Sequence, residues 1–152
     1  QKSSKYGQIY RNFFVSTRKR NLVGEGLRQA LDDGCHGLVY VSETDSPIVP
    51  VLSATPNDVT IEEFIKNAVR SDGPVEKRPI TAFFDRLTSE KAWQNEDERS
   101  NAGRFSILRA IVLDHLDGPA TYRIGRVQVD IFVLGRDAEG RIAGIRTRSV
   151  ET

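Results

Sequence analysis

The sequence has 152 residues, 38% of them hydrophobic and 28% charged, with a formal net charge of +1. That is the composition of one ordinary soluble domain with a single core. No apolar run approaches the roughly 20 residues that a membrane helix needs, and the lone cysteine, Cys35, excludes an internal disulfide or a cysteine-built zinc site.

The charge is unevenly placed. Residues 1–20 hold six basic side chains and no acidic one, whereas the rest holds 16 basic against 21 acidic. A basic N-terminal arm, 1–20, is therefore attached to an acidic body, 21–152. The sequence opens on Gln1 rather than methionine, and the Ser-, Arg- and Lys-rich arm resembles the tail of an organelle-targeting segment. The expected location is intracellular: cytoplasmic, or mitochondrial or plastid if the arm follows a cleaved targeting peptide. Arg11, Phe13, Phe14 and Arg18 are the candidate docking side chains of the arm, and a loose tail is the plain alternative. The acidic body argues against direct binding of nucleic acid.

"NLVGEGLRQALDD" reads as a first helix with Asn21 as N-cap and Leu22, Val23, Leu27, Ala30 and Leu31 inward. Gly34 and Gly37 release the chain into a buried strand, 38–42, and Pro50 marks the next extended piece, 48–53, as a sheet edge or bulge. "TIEEFIKNAVR" is a helix with Thr60 and Glu63 as a capping box. A short helix carrying Phe83, Phe84 and Leu87 follows, then a long one over about 95–116 with Phe105, Leu108, Ile111, Val112 and Leu116 inward. Asp117-Gly118-Pro119 stops it. The remainder is β: Val127, Val129, Ile131 and Val133 alternate, the turn "RDAEG" follows, and "RIAGIRTRSVET" completes a hairpin that carries Thr152 at its open end. The class is α+β, an α-β-α layered sandwich with a largely antiparallel sheet.

No catalytic or cofactor signature is present, so neither an enzyme nor a cofactor is expected. His36 and His115 read as structural, His115 as an imidazolium at a helix C-terminus. "NEDE", 95–98, places negative charge at a helix N-terminus, and a hydrolase built on Glu96, Asp97 and Glu98 is the weakest reading, because sequential carboxylates do not converge on a metal. Glu43 and Asp45 follow a strand in "SETDSP", which suits a functional loop or a solvated acidic turn. Trp93 is a core anchor or an exposed interface anchor. The acidic residues of 31–46 and the arginines Arg136, Arg141, Arg146 and Arg148 imply an acidic and a basic side.

The ordered set "DGCHGLVYVSETDSP", "FFDRLTSEKAW", "YRIGRVQVDIFVLGRDAEGRIAGI" and terminal "VET" resembles the nuclease A inhibitor family, from about Leu22 to Thr152. That family blocks a sugar-non-specific, metal-dependent DNA/RNA endonuclease. The resemblance implies that Glu43 pairs with a basic side chain of the nuclease and that Trp93 packs at the interface. It also implies that the C-terminal Thr152 engages the catalytic metal held in that partner, directly or through water. At Lys91 the family has a neutral glutamine contact, and a cation there implies a diverged partner or a reused interface. Two functions are expected from these features: nuclease inhibition, or service as an accessory subunit of a larger, organellar assembly tethered by the basic arm.

Overall fold

The computed structural model describes residues 22–54, 59–89 and 93–152. The arm candidates Arg11, Phe13, Phe14 and Arg18, the expected cap Asn21 and the contact residue Lys91 lie outside these.

Helix α1 (Gly24–Cys35) starts at Val23, which supplies no side-chain cap. The backbone N–H of Leu22 instead donates to Nδ1 of His115 at 3.1 Å, so the entry to the helix is satisfied from the end of another one. At its far end, Arg104 donates to the carbonyls of Gly34 and His36 at 3.4 and 2.5 Å, a cation where the helix dipole is negative. Leu27 and Leu31, one turn apart, are fully buried.

The expected buried strand at 38–42 is a correction. Only Val39–Val41 is extended, as β1, and it pairs with β2 (Asp45–Pro47) alone, forming a two-stranded ribbon outside the main sheet. Val39 and Val41 are exposed, and Tyr40 between them stacks on Phe83 at 5.6 Å. The alternation is therefore inverted relative to hydrophobicity: the one side chain with a helix to pack on is the tyrosine, and a short apolar run does not reveal which of its faces finds cover.

The main sheet is antiparallel throughout, in the order β3 (Val49–Leu52), β7 (Ile142–Val150), β6 (Gln128–Arg136), β5 (Asp117–Gly125), β4 (Glu76–Arg78). Pro50 sits on an edge strand, as its missing N–H requires. The opposite edge, β4, is Glu-Lys-Arg and exposed at every position. The β6–β7 hairpin runs in register from Arg136 opposite Ile142 to Gln128 opposite Val150. Its turn is fixed by Asp137, whose Oδ1 accepts from the N–H groups of Glu139 and Arg141 at 2.8 and 2.9 Å. Gly144 carries φ +151°, and a Cβ there would collide with the Val133 carbonyl, so glycine permits the close β6–β7 approach. Val127 is a second correction: it lies in the link before β6 and is 55% exposed. Asp117-Gly118-Pro119 does end the long helix, but those residues already begin β5.

Both faces of the sheet are covered, so the single core expected from length is two clusters. On one face α1, α3 (Thr81–Thr88) and α4 (Glu96–His115) pack Leu27, Phe84, Leu108 and Ile111 against Ile131, Val133 and Ile145. On the other, Ile65 of α2 (Ile61–Val69) packs against Tyr122, Phe132, Leu134 and Ile142. Burial on both sides accounts for the unbroken apolar run Ile131–Leu134. The result is the expected α-β-α sandwich. Helix α2 is capped by Thr60, whose Oγ1 accepts from the N–H of Glu63 at 3.1 Å. Helix α4 has a reciprocal box: Asn95 Oδ1 accepts from the Glu98 N–H, and Glu98 Oε1 from the Asn95 N–H, both at 2.8 Å.

Candidate functional site

The turn Ser42–Thr44 joins the two strands of the β1–β2 ribbon and carries Glu43 at its tip. Along one side the ribbon is pinned to β7. Thr147 Oγ1 donates to the Pro47 carbonyl at 2.9 Å, and the Val150 N–H donates to Ser42 Oγ at 3.0 Å. Beyond the end of β7, Glu43 Oε2 accepts from both the backbone N–H and the hydroxyl of Thr152, at 3.2 and 2.5 Å. Two residues 109 positions apart, each singled out from the sequence, thus form one exposed carboxylate–hydroxyl pair.

Trp93 is 75% exposed, just ahead of the α4 capping box, which decides between core and surface. The contacts described do not join it to the Glu43–Thr152 pair. The acidic stretch is a surface: Asp32, Asp33, Glu43 and Asp45 are all exposed. The arginines of the expected basic side are partly offset by contacts within the protein. Arg146 and Arg148 both meet Asp130, Arg141 meets Glu139, and Arg136 donates to the carbonyls of Gly140 and Val59. Arg146 and Arg148 share one carboxylate and Arg136 keeps its full charge at two carbonyls, so positive charge remains on this side.

Three residues beside the tip escape the sequence reading. Arg123 of β5 donates to both carboxylate oxygens of Glu151 at 2.6 Å, and Ser149 Oγ donates to Glu151 Oε2 at 2.8 Å. The Arg123 hydrogen bond holds the Glu151 carboxyl below its ordinary value against the opposing effect of burial, with Ser149 and the charges of Arg123 and Arg78 adding to it. Together with Arg78, Arg126 and Glu76, this pair lines a cleft of about 420 Å³. A signal was available: alternation along β7 continues Ile145 into Thr147 and Ser149, which places two hydroxyls on a buried face.

The two histidines differ. His36 is exposed. His115 is 3% exposed and accepts a hydrogen bond at Nδ1, which needs a lone pair there, and burial pushes its imidazole below the ordinary value against the charge of Asp114. It is neutral, not the imidazolium expected at a helix end. Burial likewise pushes the Cys35 thiol up to about 12, which removes it as a nucleophile. Glu96, Asp97 and Glu98 are taken up by the first turn of α4.

The strand end thus presents a carboxylate and a hydroxyl beside an acidic surface, and the tryptophan is exposed. The chain belongs to the nuclease A inhibitor-like family, whose model matches residues 25–152. That membership carries a nuclease-inhibitor-like role and a protein partner of that kind. No match was found among curated proteins. No helix among the described residues is long and apolar enough to cross a membrane.

Proposed function

We propose that this chain inhibits a metal-dependent, non-specific DNA/RNA endonuclease without turning over a substrate, by presenting Glu43 and Thr152 as one composite tip with Trp93 as an apolar anchor. The observation that carries this reading is the geometry of the pair. Both bonds from Thr152 fall on Oε2 of Glu43, which leaves Oε1 for a cationic side chain of the nuclease. The Thr152 oxygen keeps lone pairs for the nuclease's own metal, directly or through water, and hydroxyl and carboxylate oxygens are the hard donors that Mg²⁺ takes. The exposed acidic residues favour approach to a surface built to hold phosphates and speed association. Lys91 would oppose that approach, so Lys91→Gln should strengthen binding to a typical target of the family.

The test is co-purification from the native source, scored for a metal-dependent nuclease, followed by titration of its DNA-degrading activity with the chain. Stoichiometric inhibition that weakens when Thr152 is deleted supports the reading. A larger assembly without nuclease activity, retained through residues 1–20, would overturn it in favour of an accessory subunit.

A further inference from the structure

The last three backbone N–H groups of the sequence are taken by three different parts of the fold. Val150 donates to Ser42 Oγ at 3.0 Å, Glu151 to the Val127 carbonyl at 2.8 Å, and Thr152 to Glu43 Oε2 at 3.2 Å. Glu151 and Thr152 lie beyond the β6–β7 ladder, which supplies them no acceptor. Here every donor has a partner.

One of these holds is itself held, and a further side chain fixes the segment from β5. The Ser42 hydroxyl donates to the Thr44 carbonyl at 3.1 Å, and the Ser42 N–H donates to that same carbonyl at 3.0 Å. With its hydrogen committed to Thr44, the serine oxygen can only accept, and Val150 supplies the donor. Arg123 grips both oxygens of Glu151 from β5, across the intervening β6, and its side chain is 19% exposed. Its partner Glu151 is 42% exposed, so the hold rests on the two short hydrogen bonds rather than on shielding of the charges. Neither Ser42 nor Arg123 contacts Thr152. Each fixes the residue one or two places before it.

We propose that Ser42 and Arg123 are positioning residues that pre-order the segment Val150–Thr152, so that the threonine reaches a partner's site without an ordering step. The inference rests on the reading of Thr152 as the inhibitory contact. A segment already fixed in its bound geometry loses little freedom on docking, and releasing either hold returns that loss to the binding equilibrium.

The experiment is a coupling cycle on the full chain. Ser42→Ala and Arg123→Gln are each made with Thr152 present and with Thr152 deleted, and inhibition of a Mg²⁺-dependent non-specific endonuclease is titrated alongside urea unfolding. Each substitution is expected to weaken inhibition by about tenfold when Thr152 is present and to add nothing once it is deleted. Ser42→Thr, which keeps the hydroxyl, should inhibit as the parent does. Equal losses in both backgrounds would overturn the inference, as would no loss from either substitution while deletion of Thr152 itself weakens inhibition. If deleting Thr152 changes nothing, the proposed function fails first and this inference falls with it. Because the two holds sit on separate elements, a variant that does not fold leaves the other to decide.

Discussion

Replacing Trp93 by alanine separates folding from docking more cleanly than any other change in this protein. A tryptophan side chain carries up to about 250 Å² of burial, and 75% of it is exposed here, which leaves about 190 Å² for a partner. At about 25 cal/mol per Å², covering that area contributes about 4–5 kcal/mol before ordering costs, so Trp93→Ala should weaken binding by about 2–4 kcal/mol. That is about a 30- to 700-fold rise in Kd. Folding should barely notice, with a change within about 0.5 kcal/mol, because the indole supports no core contact. Trp93 is the only tryptophan, so its fluorescence reports its own burial: emission should shift to the blue on adding the nuclease. Inhibition titration and urea unfolding of the variant complete the assay. A variant that inhibits within about twofold of the parent, or that unfolds more than about 1 kcal/mol more easily, would refute the assignment of this side chain to the interface.

Asn95→Ala removes one arm of the α4 capping box and should cost about 1 kcal/mol, read as a fall of a few degrees in the calorimetric Tm; an unchanged Tm would mean that the first turn contributes nothing. Gly144→Ala forces a Cβ toward the Val133 carbonyl at φ +151° and should cost about 3 kcal/mol or more in urea unfolding. Gly103→Ala, on α4 with open space around it, should instead stabilise by about 0.5–1 kcal/mol. Burial pushes the folded-state pKa of His115 below the ordinary 6.5 of a histidine, so the unfolded chain takes up the proton first. Its contribution to stability is therefore complete above pH 6.5 and is lost as pH falls through the folded value. His115→Gln should flatten the fall in urea midpoint over that interval, and an unchanged slope would remove the histidine from the acid response.

The parts of the fold that the sequence announced are those whose side chains repeat. Ile61 and Ile65 one turn apart, the Thr60-to-Glu63 cap, and the alternation of Val129, Ile131 and Val133 each encode an element within a few neighbouring residues. β1 resisted because three residues are too few to show a period, and because the cover that inverts its faces comes from Phe83, distant in the chain. His115 was placed at the right helix end with the wrong charge: proximity to a dipole is visible locally, whereas burial under the entry to α1 is not. Glu43, Trp93 and Thr152 stand out locally as a loop carboxylate, a lone tryptophan among polar residues and a hairpin end, but only the family resemblance gives them roles, and no local pattern shows that two of them touch. Ser42 and Arg123 were missed because their partners are a backbone N–H and a carboxylate that only tertiary folding brings near.

The two borders of the main sheet are guarded in different ways. β3 carries Pro50, which has no hydrogen to offer, and β4 presents Glu76, Lys77 and Arg78 to water. A second copy trying to extend the sheet would meet a missing donor on one border and three charges to desolvate on the other. Edge-to-edge growth is thereby discouraged. Contact between copies along either border would therefore cost an unmade hydrogen bond or the desolvation of charge before any gain.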